Sequence, residues 1–305
     1  MRAGIIERKR VFRLRRKECE NLLRRKSTVP EEKSQLFAAI NDCVQEEKHL
    51  EDLLQSDFIP QHSPRQFISP RTFLDSPLFR VASRSAPRQP ACERLLGTDS
   101  HGFPIFYSGP ELRQEDGLVF MSLVNSVRDL RAGTLAHFSP GDMCRALFNH
   151  YDGRSRKRLR SYILRLLKGQ VRTHAFAVQL CSRFDYPSKG MWCVSLDPDI
   201  VKLFANANVW LDLKTRLELP DGLATWLYGY VEAQTRLIPI RIETLKQRCG
   251  TDSDNRAFTN LLRTALKHLN THGLIDPGYQ LKDGQLRWRK STLARPQSPI
   301  ANGAF

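Results

Sequence analysis

GRSRKRLRSYILRLLKG, residues 153–169, sets seven basic side chains against a row of leucines, an isoleucine and a tyrosine. At about 100° per residue, Leu159, Tyr162, Ile163 and Leu166 gather on one side of a helix. Arg154, Lys157, Arg158, Ser161, Arg165 and Lys168 fall opposite, and that face contains no acid. A solvated face usually mixes charge signs. An acid-free basic face instead suits a polyanion, provided that the flanking chain builds a frame that presents it.

The flanks supply such a frame. Upstream, the pattern predicts a strand over 105–107 and a helix with Phe120, Leu123, Val124 and Val127 on one face. A short run at 134–138 follows, then a second helix capped by Ser139 with Pro140 behind it. Downstream, Phe176, Val178 and Leu180 alternate, a turn occupies 187–190, and Trp192, Val194 and Leu196 alternate again, which predicts a β-hairpin. The same order then repeats. Leu223, Trp226, Leu227, Tyr230 and Val231 mark a helix over 221–234; a strand over 238–242 and a short helix ending at Cys249-Gly250 come next. A long helix is predicted over 254–271. Asp283-Gly284 then sits between alternating apolar residues, the strongest short-range hairpin signal. Helix, strand, helix, helix, hairpin, occurring twice, describes tandem winged-helix domains of the α+β class. In that arrangement the third helix lies in a major groove and the hairpin wing touches the backbone beside it.

The second third-helix is patterned like the first. Phe258, Leu261, Leu262, Ala265 and Leu269 are expected inward, and Arg256, Asn260, Arg263 and Lys267 outward, again without an acid. Arginine forks onto guanine and asparagine onto adenine, whereas lysine and serine suit phosphates. Arg256, Asn260 and Arg263 are therefore the candidate base readers, with Lys267 on the same face. The more uniformly basic first helix is weighted towards backbone contact. Lys189, Lys282 and Arg287 are expected to reach phosphates from the wings.

Composition points the same way. The 305 residues hold 48 Lys+Arg against 32 Asp+Glu, a net charge of +16. This favours a nucleic-acid partner. No apolar run approaches the roughly 20 residues of a membrane span, and no apolar segment follows the basic N-terminus, so no membrane or secretory role is expected and the chain reads as cytoplasmic. Seven dispersed cysteines without a C-x-x-C suit a reducing compartment. Cys144 and Cys249, among apolar helix positions, read as small buried hydrophobes.

Five regions are expected: a charged helical hairpin (1–57), a Pro/Ser/Arg-rich linker or light wrap (58–104), a first winged helix (105–205), a second (206–290) and a disordered tail (291–305). The hairpin is basic over 1–26, with eleven Arg and Lys against three Glu, then acidic over 31–57, with eight acids against two Lys. T-V-P-E at 28–31 reads as a capping box between them.

Catalytic signatures are missing. There is no G-x-x-x-x-G-K-[ST] for a nucleotide and no His-x-His pair for a nickase metal. His268 and His272 have zinc-like i, i+4 spacing but no cysteine pair ahead of them. His62 and Arg65 spell the H-x-x-R of a recombinase, yet within the proline-rich segment. No enzyme activity, cofactor or metal is expected.

IFYSGPEL (105–112), LDPDIVKLF (196–204), IPIRIETLKQRCGTDS (238–253) and ALKHLNTHGLI (265–275) resemble the TrfA-type plasmid replication initiators. The resemblance runs from about SPLF (76–79) to Tyr279. It implies tandem winged helices that bind direct repeats (iterons) in a plasmid origin and help to open an adjacent A·T-rich segment, touching its single strands. It also implies host initiator and replicative helicase as partners, monomer–dimer self-association that restrains copy number, and no nucleotide hydrolysis. The family's Q-L-x-L-F clamp-binding peptide has no match here; SQLF (34–37) and RQF (65–67) are the nearest strings, which leaves direct recruitment of the sliding clamp open. A plasmid- or phage-borne transcriptional repressor with the same two domains is the alternative, since both would read repeats with helices and wings.

Overall fold

The computed structural model describes residues 2–24, 30–99, 101–205 and 207–291. α1 (Arg2–Leu23) and α2 (Pro30–Asp57) form the expected oppositely charged hairpin. Lys9 pairs with Glu51 (2.9 Å), and Arg13 and Arg16 both reach the buried Glu47 (3.7 and 3.4 Å). The hairpin is tied down at its base, where Arg2 Nη1 donates to the carbonyls of Ile59 (2.6 Å) and Arg128 (2.7 Å). The capping box at 28–31 falls partly outside the described residues.

Residues 58–104, expected as a linker or light wrap, are built into the core. Phe58, Ile59, Phe67, Ile68, Phe73, Leu78 and Phe79 are buried. β1 (Gln66–Pro70) precedes α3 (Arg71–Leu74), β2 (Phe79–Arg80) and β3 (Cys92–Thr98). These pieces show no period in sequence because their partners are remote. β1 pairs antiparallel with a strand more than a hundred residues later, Gln66 opposite Asp212.

β4 (Pro104–Gly109) and β5 (Leu112–Arg113) lead into α4 (Gln114–Ser126), a helix buried over most of its length. β2 lies parallel to β5, and the Phe79 ring sits against Gly117 of α4, where a Cβ would come within 2.8 Å of it. β6 (Ala136–Phe138), α5 (Pro140–Phe148) and α6 (Gly153–Leu167) follow as predicted. Ser139 caps α5 by accepting the Asp142 N–H (3.2 Å).

The hairpin after α6 differs from expectation. β7 (Gln170–Arg172) and β8 (Ala177–Gln179) pair with each other and extend a sheet of order β3-β4-β7-β8. The wing is formed instead by β9 (Arg183–Asp185) and β10 (Trp192–Ser195), in a sheet of order β6-β10-β9. The run from Phe176 to Leu180 thus belongs to an inserted hairpin, not to the wing. Alternation within that run marks a strand but does not say which neighbour receives it, and Phe184 stands in step with it beyond the polar Ser182.

After a 3₁₀ segment (Pro198–Phe204) come β11 (Asn208–Asp212), which receives β1, and α7 (Leu213–Glu218). The second unit is α8 (Leu223–Ala233), β12 (Ile240–Arg241), α9 (Ile242–Cys249), α10 (Asn255–Thr271), β13 (Gln280–Lys282) and β14 (Gln285–Arg287). Its sheet order, β12-β14-β13, repeats that of β6-β10-β9. The fold is therefore two winged helices behind an N-terminal helical hairpin, and one hydrophobic core runs through both units. Ser291, expected in the tail, still donates its N–H to Leu274 (3.3 Å); 292–305 lie outside the described residues. Among the described residues no helix is long and apolar enough to cross a membrane.

Candidate nucleic-acid interface

α6 starts where Asp152 accepts the Ser155 N–H (2.6 Å) and Ser155 Oγ receives the Asp152 N–H (2.8 Å). The Ser155 N–H holds the Asp152 carboxyl below its usual range. Leu159, Tyr162, Ile163 and Leu166 are buried as predicted. The outward face then divides. Arg154, Lys157 and Lys168 are exposed, with no side-chain partner among the described residues. Arg158 lies over the Phe148 ring (4.9 Å), and Ser161 donates its hydroxyl back to the Arg158 carbonyl (2.8 Å).

Arg165 is committed elsewhere. Its Nε donates to Asp116 Oδ1 (2.8 Å), and Arg88 Nη1 takes the other oxygen (2.7 Å). Asp116 is fully buried, and burial raises its carboxyl pKa against the pull of the two guanidiniums. Moving Arg165 to a phosphate would strip a buried carboxylate of a partner, which is strongly unfavourable. Arg165 therefore orients α6 on α4. The acid that holds it lies 49 residues upstream, so the helix pattern alone gave no sign of it.

Two basic residues of α6 acquire a role that the outward pattern did not reveal. Arg156 donates to the Pro187 carbonyl (2.8 Å) and lies over the Trp192 ring (5.2 Å). Arg160 lies over Tyr186 (4.1 Å). Both fasten the helix to its wing, where Phe184, Tyr186 and Trp192 form one aromatic cluster. Their i, i+4 spacing on the flank between the two faces was the available signal. Lys189 is exposed in the wing turn, next to Gly190 at φ +89°.

α10 is capped by Asp254, which accepts the Ala257 N–H (2.8 Å). Asp254→Ala is expected to lower stability by about 0.5–2 kcal/mol, read by denaturant unfolding. Phe258, Leu262, Ala265, Leu266 and Leu269 are buried. Leu261, expected inward, is 47% exposed on the flank of the helix, and Leu266 takes the inner position instead. Arg256, Asn260, Arg263 and Lys267 are all exposed along one face. Arg263 Nη1 donates to Asn260 Oδ1 (3.0 Å), so the two head groups lie side by side. The second wing turns at Asp283 (φ +51°) and Gly284 (φ +69°), the left-handed pair of a type I′ hairpin. It leaves Lys282 and Arg287 exposed. The Gly284 carbonyl accepts the Ile242 N–H (2.9 Å), which joins this wing to α9.

The two faces share one design: a helix seated by an acidic N-cap, apolar inside, acid-free outside, and flanked by a short wing that carries lysine or arginine. His272 Nδ1 lies 3.8 Å from Glu218 Oε2, but no cluster of three His, Cys, Asp or Glu that could hold a metal occurs among the described residues. His62, buried, bonds through Nδ1 to the Pro60 carbonyl (3.0 Å).

Comparison with known proteins agrees with this architecture. The chain is 24% identical over 213 residues to the plasmid replication initiator protein TrfA of Escherichia coli, a match covering 66% of this chain and 56% of the relative. The chain thus aligns with little more than half the length of that protein. Among solved structures, domains 2 and 3 of RctB superpose with a TM-score of 0.52 at 12% identity, covering 74% of this chain and 99% of that one. A second RctB structure of the same domains gives 0.51 at 11% identity, covering 72% and 96%. At those identities the likeness is one of fold. The family profile described as TrfA protein matches residues 20–285, and the chain belongs to that family of plasmid replication initiators.

Proposed function

We propose that this chain initiates plasmid replication by binding direct repeats in the origin through both winged helices, here bounded as 105–205 and 206–290. α10 reads bases: Arg256 and Arg263 suit guanine, and Asn260 suits adenine. The exposed Leu261 beside them offers an apolar contact for a thymine methyl. α6 holds the backbone through Arg154, Lys157 and Lys168, with Lys189, Lys282 and Arg287 on the wings. Binding favours opening of an adjacent A·T-rich segment, followed by host initiator and helicase, and self-association withdraws protein from the origin. The observation that carries this reading is the pair of exposed, acid-free faces on equivalent helices of two units with the same strand order.

Substitution separates the two helices. Arg263→Ala or Asn260→Ala is expected to cost about 1–3 kcal/mol of binding and to relax preference at one base position. Lys157→Ala is expected to weaken all duplexes alike. Quantitative binding to a randomised duplex pool reads both effects; uniform losses from all three variants would show that α10 does not read bases. Maintenance of a plasmid that carries only this gene and its flanking DNA distinguishes an initiator from a repressor.

A further inference from the structure

A chain of charged residues, linked by side chains and one backbone N–H, runs from one recognition helix to the turn that precedes the other. It begins at Arg165 of α6, bonded to Asp116 as above. Asp116 Oδ2 also accepts the Arg113 backbone N–H (2.8 Å), and the Arg113 guanidinium donates from Nε to Glu111 Oε1 (2.7 Å). Glu111 Oε2 accepts from Arg80 Nη1 (3.1 Å). The other terminal nitrogen of Arg80, Nη2, donates to Asp252, two residues before the cap of α10. Arg80, Glu111, Arg113 and Asp116 are all buried.

The backbone follows the same route. The Val81 N–H donates to the Cys249 carbonyl at the end of α9 (2.8 Å). Gly250, at φ +68°, is seated so closely that a Cβ would lie 2.8 Å from the Pro77 Cβ and 3.2 Å from the Arg80 Cβ. Residues 77–81 are thus clamped between the first unit, through β2 and β5, and the turn that launches α10.

Burying this many charges is a poor way to gain stability, because apolar side chains of the same volume do as well or better. What the arrangement supplies is direction. A guanidinium donates in one plane at fixed angles, so a fork bonded at both ends defines a pose more narrowly than apolar packing does. We infer that Arg80, bridging Glu111 and Asp252, sets the relative pose of α6 and α10 and hence the base-pair spacing over which one site is read. Arg80, Glu111 and Asp252 are positioning residues. The inference rests on the reading of both helices as DNA readers.

One inserted base pair displaces the far half of a site by about 3.4 Å and turns it by roughly 35°. The full chain is used to recover duplexes from a random-sequence pool, and one base pair is then inserted between the two footprints. The wild type is expected to lose at least about tenfold in affinity on insertion, the scale of one mismatched pair. Arg80→Gln and Asp252→Ala are expected to lose less than about threefold, because the relative pose of the two helices is then less narrowly set. Arg80→Lys, which keeps the charge but cannot fork, should behave as the glutamine variant. The Asp252 side chain is 88% exposed, so Asp252→Ala, which removes the acceptor, leaves the core intact even if a substitution at Arg80 unfolds the chain.

A second measurement needs no DNA. Spin labels carried on non-natural amino acids at Lys157 and Thr264 should give a narrow distance distribution in the wild type and a broader one in Arg80→Gln and Asp252→Ala. Variants that keep the wild-type insertion penalty, or an unchanged distribution, would overturn the inference. If the pool yields no duplex, it is the DNA reading that has failed, and the label distances alone decide whether the fork positions the helices.

Discussion

Raising the salt from about 50 to about 200 mM is expected to lower the affinity of the full chain for duplex DNA by about 10³–10⁵, the range for six to ten neutralised phosphates. Nine exposed cations make up the proposed contact set: Arg154, Lys157, Lys168, Lys189, Arg256, Arg263, Lys267, Lys282 and Arg287. Arg165 is left out because its charge is spent on Asp116. Each lysine replaced by alanine should therefore lower the slope of log affinity against log salt by about one, whereas Arg165→Ala should act on stability first. Binding that barely responds to salt would refute the two-helix interface.

Val178→Lys is expected to unfold the first unit, at a cost of several kcal/mol. Val178 is fully buried and faces Val171 across the β7–β8 ladder. An ammonium there would have neither water nor a partner. Ala177→Lys, on the exposed side of the same strand, should shift stability by no more than about 0.5 kcal/mol. β8 lies at the edge of its sheet, so pairing with a second copy is the competing possibility. Its outward edge is partly occupied already, since the Gln179 N–H donates to Asp197 (3.0 Å). Chemical denaturation of both variants, with sedimentation of whatever stays folded, decides between the two. A Val178→Lys chain that remains folded and shifts to monomer would mark β8 as a self-association edge.

What the sequence made legible follows the range of the interactions concerned. α6 and α10 could be read directly because period and charge segregation both lie within one short segment. The second wing was legible for the same reason: Asp283 and Gly284 specify their own turn. The first wing was legible in its turn and its second strand but not in its first, because the alternation from Phe176 to Leu180 marks a strand without showing whether β7 or β10 receives it. The segment 58–104 looked like a linker for a related reason. Its buried residues come in twos and threes, and the strand that completes them is made much later in the chain. Arg165 and Leu261 illustrate the limit within a helix. A wheel sorts residues by angle, but it takes a neighbouring helix to decide that an outward arginine is claimed by Asp116, or that a leucine on the flank stays in solvent.

The pairing of β1 with β11 carries a kinetic consequence. Its partners lie between 138 and 146 residues apart in sequence. During synthesis at about 5–20 residues per second, β1 waits several seconds or more for its partner to be made. Through that interval the backbone edge of β1 and the apolar Phe67 and Ile68 stay uncovered. Residues 66–70 therefore cannot take their place in the fold before residues 208–212 have left the ribosome. Closing a loop this long is entropically costly before the contacts reward it, so refolding should be slow for a chain so rich in helix. A nascent chain halted before Asn208 should be open to protease around 66–70, and one released past Asp212 should be protected there.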